Sequence, residues 1–341
     1  MKALRLALMG FGNVGQAFGK MLLEKQEEIQ DRYDTEVKIT AIATATKGNL
    51  YNPEGIDIAK AIEDAEKNGS FNGPDLTELG GIELLEEAEY DCLMELSPLD
   101  IFTGQPATDH LMIAISRGKH AITANKGPVA WYFRDLKYLA EEKNVGFYYE
   151  TVVMDGTPVF NLVEHTLKMA KVTEIRGILN STTNFILEEM EKGCDMDDIM
   201  ARGRQMGFIE ADPAMDIEGY DAAGKVTALL NVLMDAGIRP DQVKRKGIED
   251  ITMDDIRAAA SRGNVIKLLC KGSLDEEGNV IAEVGPQEIP RTDMLASVNS
   301  TTSIVSITTD LMKTVSIVEH EPEIEQTAYG VFGDMLRVLE R

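Results

Sequence analysis

Hydrophobic positions organise the first third of the chain. Residues 4–9 (LRLALM) form a short apolar run that breaks at GFGNVG, Gly10 to Gly15. After the break Ala17, Phe18, Met21, Leu22 and Ile29 recur at the spacing of one helix face. A second apolar run follows at 37–44 (VKITAIAT). Strand, Gly-rich turn, helix and strand make one βαβ unit. Residues 47–89 are polar and Gly-containing, which predicts an insertion with a helix or two. Beyond it the alternation resumes: a strand-like run at 92–97 (CLMELS), a helix at 107–117, a strand at 120–124 (HAITA), a helix at 129–143 and a strand at 146–151 (GFYYET). Strands alternating with helices predict an α/β domain built on a doubly wound parallel sheet.

After about residue 151 the pattern changes. Apolar runs at 172–179, 265–272 and 279–284 read as strands, separated by helical stretches near 158–170, 195–206 and 221–235. The last segment places Ile324, Ala328, Val331, Met335 and Val338 on one helix face. The pattern predicts two domains, 1–150 and 151–322, the second of α+β type.

Composition adds little to this picture, but charge narrows the partners. With 34 Lys+Arg against 58 Asp+Glu, the net charge is −24. So acidic a surface repels phosphate backbones and anionic lipid, so neither nucleic acid nor membrane is expected as a partner. The three cysteines form no CxxC pair, which speaks against a disulfide scaffold or structural zinc. The N-terminus leads straight into Gly10 without a cleavage site, so it reads as a first strand and the protein as cytoplasmic.

GFGNVG fits GxGxxG through Gly10, Gly12 and Gly15, with Asn13 and Val14 between the last two. In that pattern the first glycine makes a tight turn, the second admits a pyrophosphate and the third lets helix pack on strand. Glycine triplets also serve packing alone, but this one follows a strand and opens a helix, the context a dinucleotide site needs. Counting on to the acidic residue that would take a ribose 2′-hydroxyl reaches Asp34 or Glu36, at the wrong end of the second strand. Its carboxyl end carries Thr44, Ala45, Thr46 and Lys47 instead. Two hydroxyls and a cation suit a 2′-phosphate, so NADP(H) is expected over NAD(H), unless Lys47 is only a solvated loop lysine. Lys126 in TANKGP follows the strand HAITA, at the sheet edge where ligands collect, although a loop lysine is most often a surface charge. Residues 205–226 crowd Glu210, Asp212, Asp216, Glu218, Asp221 and Lys225 together. Asp221 and Lys225, at i and i+4, share a helix face. An acidic helix N-terminus would explain Glu218 and Asp221. It does not explain Glu210 and Asp216, which suit a substrate bearing an ammonium group.

With these motifs the chain resembles the homoserine dehydrogenases. The resemblance covers nearly all of it and rests on GFGNVG, ANKGP, ETVVMDGTPVFNL, GILNSTTNFIL and above all GFIEADPAMDIEGYDAAGK. It implies NAD(P)H-dependent reduction of L-aspartate 4-semialdehyde to L-homoserine, on the branch toward threonine and methionine. The implied fold is a Rossmann-type NAD(P)-binding domain, completed by a C-terminal helix at 323–341, plus a catalytic and dimerisation domain, so a homodimer. By resemblance Lys225 is the acid/base, Glu210 a substrate-binding carboxylate, and Asp216 and Asp221 lie at the substrate. Lys126 touches cofactor and substrate, and Ser97 lies near the nicotinamide ribose. Glu150, Val153, Asp155 and Thr157 match positions that hold a sodium ion, mostly through backbone oxygens, and an oxygen set does suit a hard cation. Ser181 stands where the family commonly has glycine, and HEPEIEQTAYG replaces its Gly-rich segment near the C-terminus. With the chain ending at Arg341 there is no room for the regulatory domain some members carry, so threonine inhibition is expected to be weak or absent. Two rival readings remain: an aspartate-semialdehyde dehydrogenase, which needs an activated cysteine, and a non-catalytic NADP-binding sensor, which has no use for Glu210 and Lys225.

Overall fold

The structure, a computed structural model, describes residues 2–207, 209 and 212–341. Glu210 lies outside the described residues. The chain runs β1 (Lys2–Met9), α1 (Asn13–Tyr33), β2 (Thr35–Ala43), β3 (Asn49–Tyr51), α2 (Ile58–Lys67), β4 (Leu76–Thr77), α3 (Gly81–Glu87) and β5 (Cys92–Glu95). It continues α4 (Ala107–Ser116), β6 (His120–Thr123), α5 (Lys126–Lys143), β7 (Phe147–Tyr148), α6 (Val159–Thr166), β8 (Val172–Ile178), α7 (Ser181–Glu191), α8 (Met196–Met206) and α9 (Ala214–Ile217). It ends α10 (Tyr220–Met234), β9 (Lys244–Arg245), α11 (Met253–Ser261), β10 (Asn264–Leu274), β11 (Val280–Pro290), β12 (Ser303–Thr309), β13 (Lys313–Glu319) and α12 (Ile324–Leu339). These elements form two compact units: the chain up to Pro158 together with Glu323–Arg341, and Val159–Pro322.

The first unit is built on a seven-stranded sheet in the order β4-β3-β2-β1-β5-β6-β7. β1 is parallel to both β2 and β5, and the parallel run continues through β6 and β7. Strand order therefore reverses at β1, and the crevice at the carboxyl ends of β1 and β5 is the switch point of a doubly wound sheet. Alternate side chains of β1 feed two cores, Leu4, Leu6 and Leu8 into one and Ala7 and Met9 into the other. Phe18 and Leu22 of α1, Ile58 and Ile62 of α2, and Val331 and Met335 of α12 fill the first core. Leu84 and Leu85 of α3, Leu111 and Ile115 of α4 and Leu136 of α5 fill the second. Burying one such side chain contributes about 1.5–3 kcal/mol, so the amphipathic C-terminal segment is held as firmly as α1. The insertion contains two helices, α2 and α3, but also β3 and β4, which extend the sheet antiparallel. At three and two residues these strands carry no readable alternation.

The second unit is a six-stranded sheet in the order β13-β12-β8-β10-β11-β9. A long antiparallel hairpin, β10–β11, and β8 account for the three apolar runs of this half. β12 and β13 are additional. Their ladder includes hydroxyl pairs, Ser306–Ser316 at 2.8 Å and Thr308–Thr314 at 2.9 Å, so half of each strand reads as polar. Among the described residues no helix is long and apolar enough to cross a membrane.

Candidate active site

The Gly-rich turn has a different reason for each glycine. Gly10 has φ of +105°, and a Cβ there would run into the Leu96 carbonyl at the end of β5. A Cβ on Gly15 would lie 3.1 Å from the Gly10 carbonyl oxygen, so the turn needs both for its own packing. Gly12 is different. It caps α1 without a side-chain hydrogen bond, and nothing lies within 4 Å of where its Cβ would be. The protein itself leaves that space open, directly over the first turn of a 21-residue helix that starts at Asn13 and Val14. An open approach to the N–H groups of a long helix fits a dinucleotide pyrophosphate. Asn13 also lines a cavity of about 320 Å³ with Gln16, Lys20 and Ile324, so HEPEIEQTAYG brings a helix start to this edge in place of a Gly-rich loop.

At the carboxyl end of β2 the loop 44–48 is braced internally. Thr44 donates its hydroxyl to the Gly48 carbonyl (2.8 Å) and accepts from the Lys47 N–H (2.9 Å). One of the two expected hydroxyls is thus committed to the loop, leaving exposed Thr46 and half-buried Lys47 as the groups facing outward chemistry. Asp34 caps the far end of α1, and Glu36 pairs with Lys38 at 3.4 Å near the start of β2.

Across the switch point, Ser97 follows β5. Its backbone N–H donates to Glu95 Oε1 at 2.8 Å, and its hydroxyl donates to the same oxygen. Glu95 Oε2 lies 2.6 Å from His110 Nδ1. Asn125 then ties two loops together: its amide donates to the Ser97 and Pro98 carbonyls (3.3 and 3.4 Å), while its Oδ1 accepts from Gly127 N–H (3.1 Å). That last bond caps α5, so the helix begins at Lys126 and not at 129, and Lys126 sits half-buried at its first position.

In the second unit, Asn180 gathers the acidic cluster. It follows β8 and caps α7, accepting from Thr183 N–H at 2.9 Å. Its amide donates to Asp216 Oδ1 (2.6 Å) and to Asp221 Oδ2 (2.9 Å). Lys225 Nζ, on α10, donates to the Leu179 carbonyl (2.8 Å) and lies 3.4 Å from Asp221 Oδ2. Burial and the neighbouring Asp221 push the Asp216 carboxyl up, and Asn180, Thr182 and Lys225 pull it back. A cationic ligand beside Asp216 would oppose that rise.

The 150–157 segment leaves β7 at once for a 3₁₀ turn, Glu150–Val152, and not for the strand expected to 151. Glu150 is buried and donates its N–H to Asp334 Oδ2 at 2.9 Å. Asp155, at φ +41°, accepts from the Thr327 hydroxyl at 2.6 Å, and Val153 is buried. Among the described residues no group of three or more His, Cys, Asp or Glu is arranged to hold a metal.

Comparison with known proteins decides the family. The homoserine dehydrogenase family profile matches residues 158–336, and the homoserine dehydrogenase NAD-binding domain matches 10–150. A homoserine dehydrogenase of Methanocaldococcus jannaschii is 35% identical over 98% of this chain and 98% of its own. The chain belongs to the homoserine dehydrogenase family. An NAD(+)-dependent homoserine dehydrogenase of Pseudomonas canavaninivorans is 33% identical over 99% of this chain and 97% of its own. A solved hyperthermophilic archaeal homoserine dehydrogenase in complex with NADPH superposes with a TM-score of 0.83 at 26% identity, covering 98% of this chain and 97% of that one. Members of the homoserine dehydrogenase family are NAD(P)-dependent oxidoreductases acting on a CH–OH group. Two of the three cysteines agree with that chemistry. Cys92 and Cys270 are fully buried, and burial raises both thiols, Cys270 to about 12, away from nucleophilic use. Asn180, Glu95 and His110 are the residues that motif reading passed over. Asn180 carried one usable signal, an Asn three residues before a threonine at the start of an amphipathic run. Glu95 carried none, being one carboxylate inside an apolar strand.

Proposed function

We propose that this homoserine dehydrogenase reduces L-aspartate 4-semialdehyde with Lys225 as the proton donor and NADPH as the preferred coenzyme. The single observation that carries the reading is the Asn180-centred cluster, in which one ammonium and two carboxylates converge at the end of β8. When bound, a nicotinamide dinucleotide supplies the hydride. The chain must then deliver a proton to the aldehyde oxygen as it becomes an alkoxide. Lys225 is the ammonium at this cluster, and its contacts with the Leu179 carbonyl and Asp221 hold it in place. Asp216, together with Glu210, takes the substrate's α-ammonium. Lys126, half-buried at the first position of α5, adds positive charge for the alkoxide and the coenzyme.

Gly10, Gly12, Asn13, Val14 and Gly15 receive the pyrophosphate, and Ser97 a ribose hydroxyl. Lys47 with Thr46 receives the 2′-phosphate. Support for this preference is the lack of a carboxylate at the β2 edge, and the NADPH complex of the archaeal relative is in line with it. The NAD(+)-dependent Pseudomonas relative makes coenzyme choice a matter for direct measurement. Glu150, Val153, Asp155 and Thr157 hold a sodium ion, since an oxygen-only donor set fits a hard monovalent cation. A homodimer through the second unit and a cytoplasmic location complete the reading, and sedimentation tests the first of these. The deciding experiment is consumption of NADPH and of NADH with aspartate semialdehyde, for the unmodified protein and Lys225→Ala. No turnover with either coenzyme would sink the assignment.

A further inference from the structure

Glu95 poses a question that the reading of the site does not answer. It is a carboxylate with 0% exposure at the last position of a central strand, where burial of a charge is expensive unless it is paired. Its partners are Ser97, two residues on, and His110 on α4. One oxygen takes both the N–H and the O–H of Ser97, and the other faces His110 Nδ1 at 2.6 Å. His110 is itself buried, on α4. Meanwhile Leu96 N–H donates to the Met9 carbonyl at 2.8 Å, and its own carbonyl backs onto Gly10. Asn125 holds the Ser97 and Pro98 carbonyls. The 96–98 turn is therefore clamped by β1, by α5 and from beneath by Glu95, at the switch point where ligands gather.

A serine hydroxyl has one proton and two lone pairs. With the proton committed to Glu95, what Ser97 Oγ can offer a ligand is acceptance alone. We propose that the Glu95–His110 pair is a positioning device that fixes Ser97 as a hydrogen-bond acceptor for a ribose hydroxyl of the bound dinucleotide. The inference rests on the reading of Ser97 as a coenzyme contact and adds two residues that act through it. His110 holds the carboxylate from behind, so the hydroxyl cannot rotate to become a donor without taking a hydrogen bond from the buried carboxylate, whose Oε1 would keep only the Ser97 N–H.

The test measures NADPH dissociation constants from the fluorescence of the reduced nicotinamide, on the full-length protein without substrate. Ser97→Ala, Glu95→Gln, His110→Asn and the double variants of each with Ser97→Ala are compared, with thermal denaturation as a check on folding. Loss of one hydrogen bond should weaken NADPH binding about 3- to 10-fold in Ser97→Ala. Glu95→Gln, which keeps the shape but reorders the donors, should weaken binding to a similar degree. The double variant should be no weaker than Ser97→Ala alone, because two residues acting through one contact do not add. In turnover the coenzyme KM should rise by more than the aspartate-semialdehyde KM. If Ser97→Ala binds NADPH normally, the coenzyme role of Ser97 falls and this inference with it. If Ser97→Ala weakens binding while Glu95→Gln folds and binds normally, or if the two losses add, this inference alone is overturned. Should Glu95→Gln not fold, the His110→Asn cycle with Ser97→Ala is read by the same two criteria.

Discussion

Replacing Lys225 separates proton donation from charge. Its ammonium lies 2.8 Å from the Leu179 carbonyl and 3.4 Å from Asp221, and it lowers the Asp216 carboxyl that burial raises. Lys225→Ala removes both contacts. A charge-assisted hydrogen bond contributes about 1.5–3 kcal/mol, so the variant should lose stability of that order and stay folded. Loss of a positioned acid lowers a rate by roughly 10²–10⁴-fold, which is about 3–5 kcal/mol of transition-state stabilisation at 1.36 kcal/mol per decade. Lys225→Arg is the sharper variant. A guanidinium keeps the positive charge beside Asp216 and Asp221 but does not give up its proton. It should restore most of the lost stability and leave kcat depressed. The assay is initial-rate loss of reduced nicotinamide absorbance with aspartate semialdehyde, alongside direct NADPH titration, which neither variant should alter. If Lys225→Ala folds and keeps most of its kcat, the acid is not Lys225, and Lys126 or a bound water takes its place. If Lys225→Arg is as active as the unmodified protein, charge and not proton transfer is what the site requires.

Gly10 and Gly12 should respond differently to alanine. Gly10→Ala meets the Leu96 carbonyl and should cost about 1–3 kcal/mol in denaturant unfolding, while Gly12→Ala has open space and should raise the coenzyme KM with no change in melting temperature. Lys47→Ala should erode the preference for NADPH over NADH by up to about 1.5–3 kcal/mol in the ratio of kcat/KM values; a higher kcat/KM for NADH in the unmodified protein refutes the premise. Lys267 is buried on β10, donating to Asn184 Oδ1 (2.9 Å) and the Val298 carbonyl (2.6 Å), and burial pulls its ammonium down to about 8. Because an unfolded lysine titrates near ~10.4, the unfolded chain holds the extra proton between those values, and stability should rise with pH across that window by about 3 kcal/mol. Lys267→Met should flatten the difference, and parallel pH profiles for the two proteins would show that the lysine does not titrate as described.

Much of this was legible in the chain, for reasons that can be named. β1, the Gly-rich turn and α1 carry an apolar run and a period-3.6 signal joined without a gap, and all three elements stand where the pattern puts them. The Asp221–Lys225 pair follows from helix spacing alone. What stayed hidden depends on distance along the chain or on polarity inside strands. Asn180 meets Asp216 and Asp221 across 36 and 41 residues, and Lys225 meets Leu179 across 46. β12 and β13 hide because serines and threonines paired across the ladder look like loop residues in a linear reading.

The two units solve the same local problem by the same device, and this explains why both asparagines matter. Each must end a strand, start a helix and hold a candidate functional group at the junction. Asn125 ends the β6 loop, caps α5 through its Oδ1 and uses its amide to hold the turn bearing Ser97. Asn180 follows β8, caps α7 through its Oδ1 and uses its amide to hold Asp216 and Asp221. Neither aspartate nor serine could make the same bonds at either position, since aspartate brings a negative charge and no donor, and serine lacks the reach for both bonds. A carboxamide is the one neutral side chain of that length that accepts at one atom and donates at another. At both junctions the acceptor half of the group builds the helix and the donor half holds the candidate site residues, so one side chain serves both.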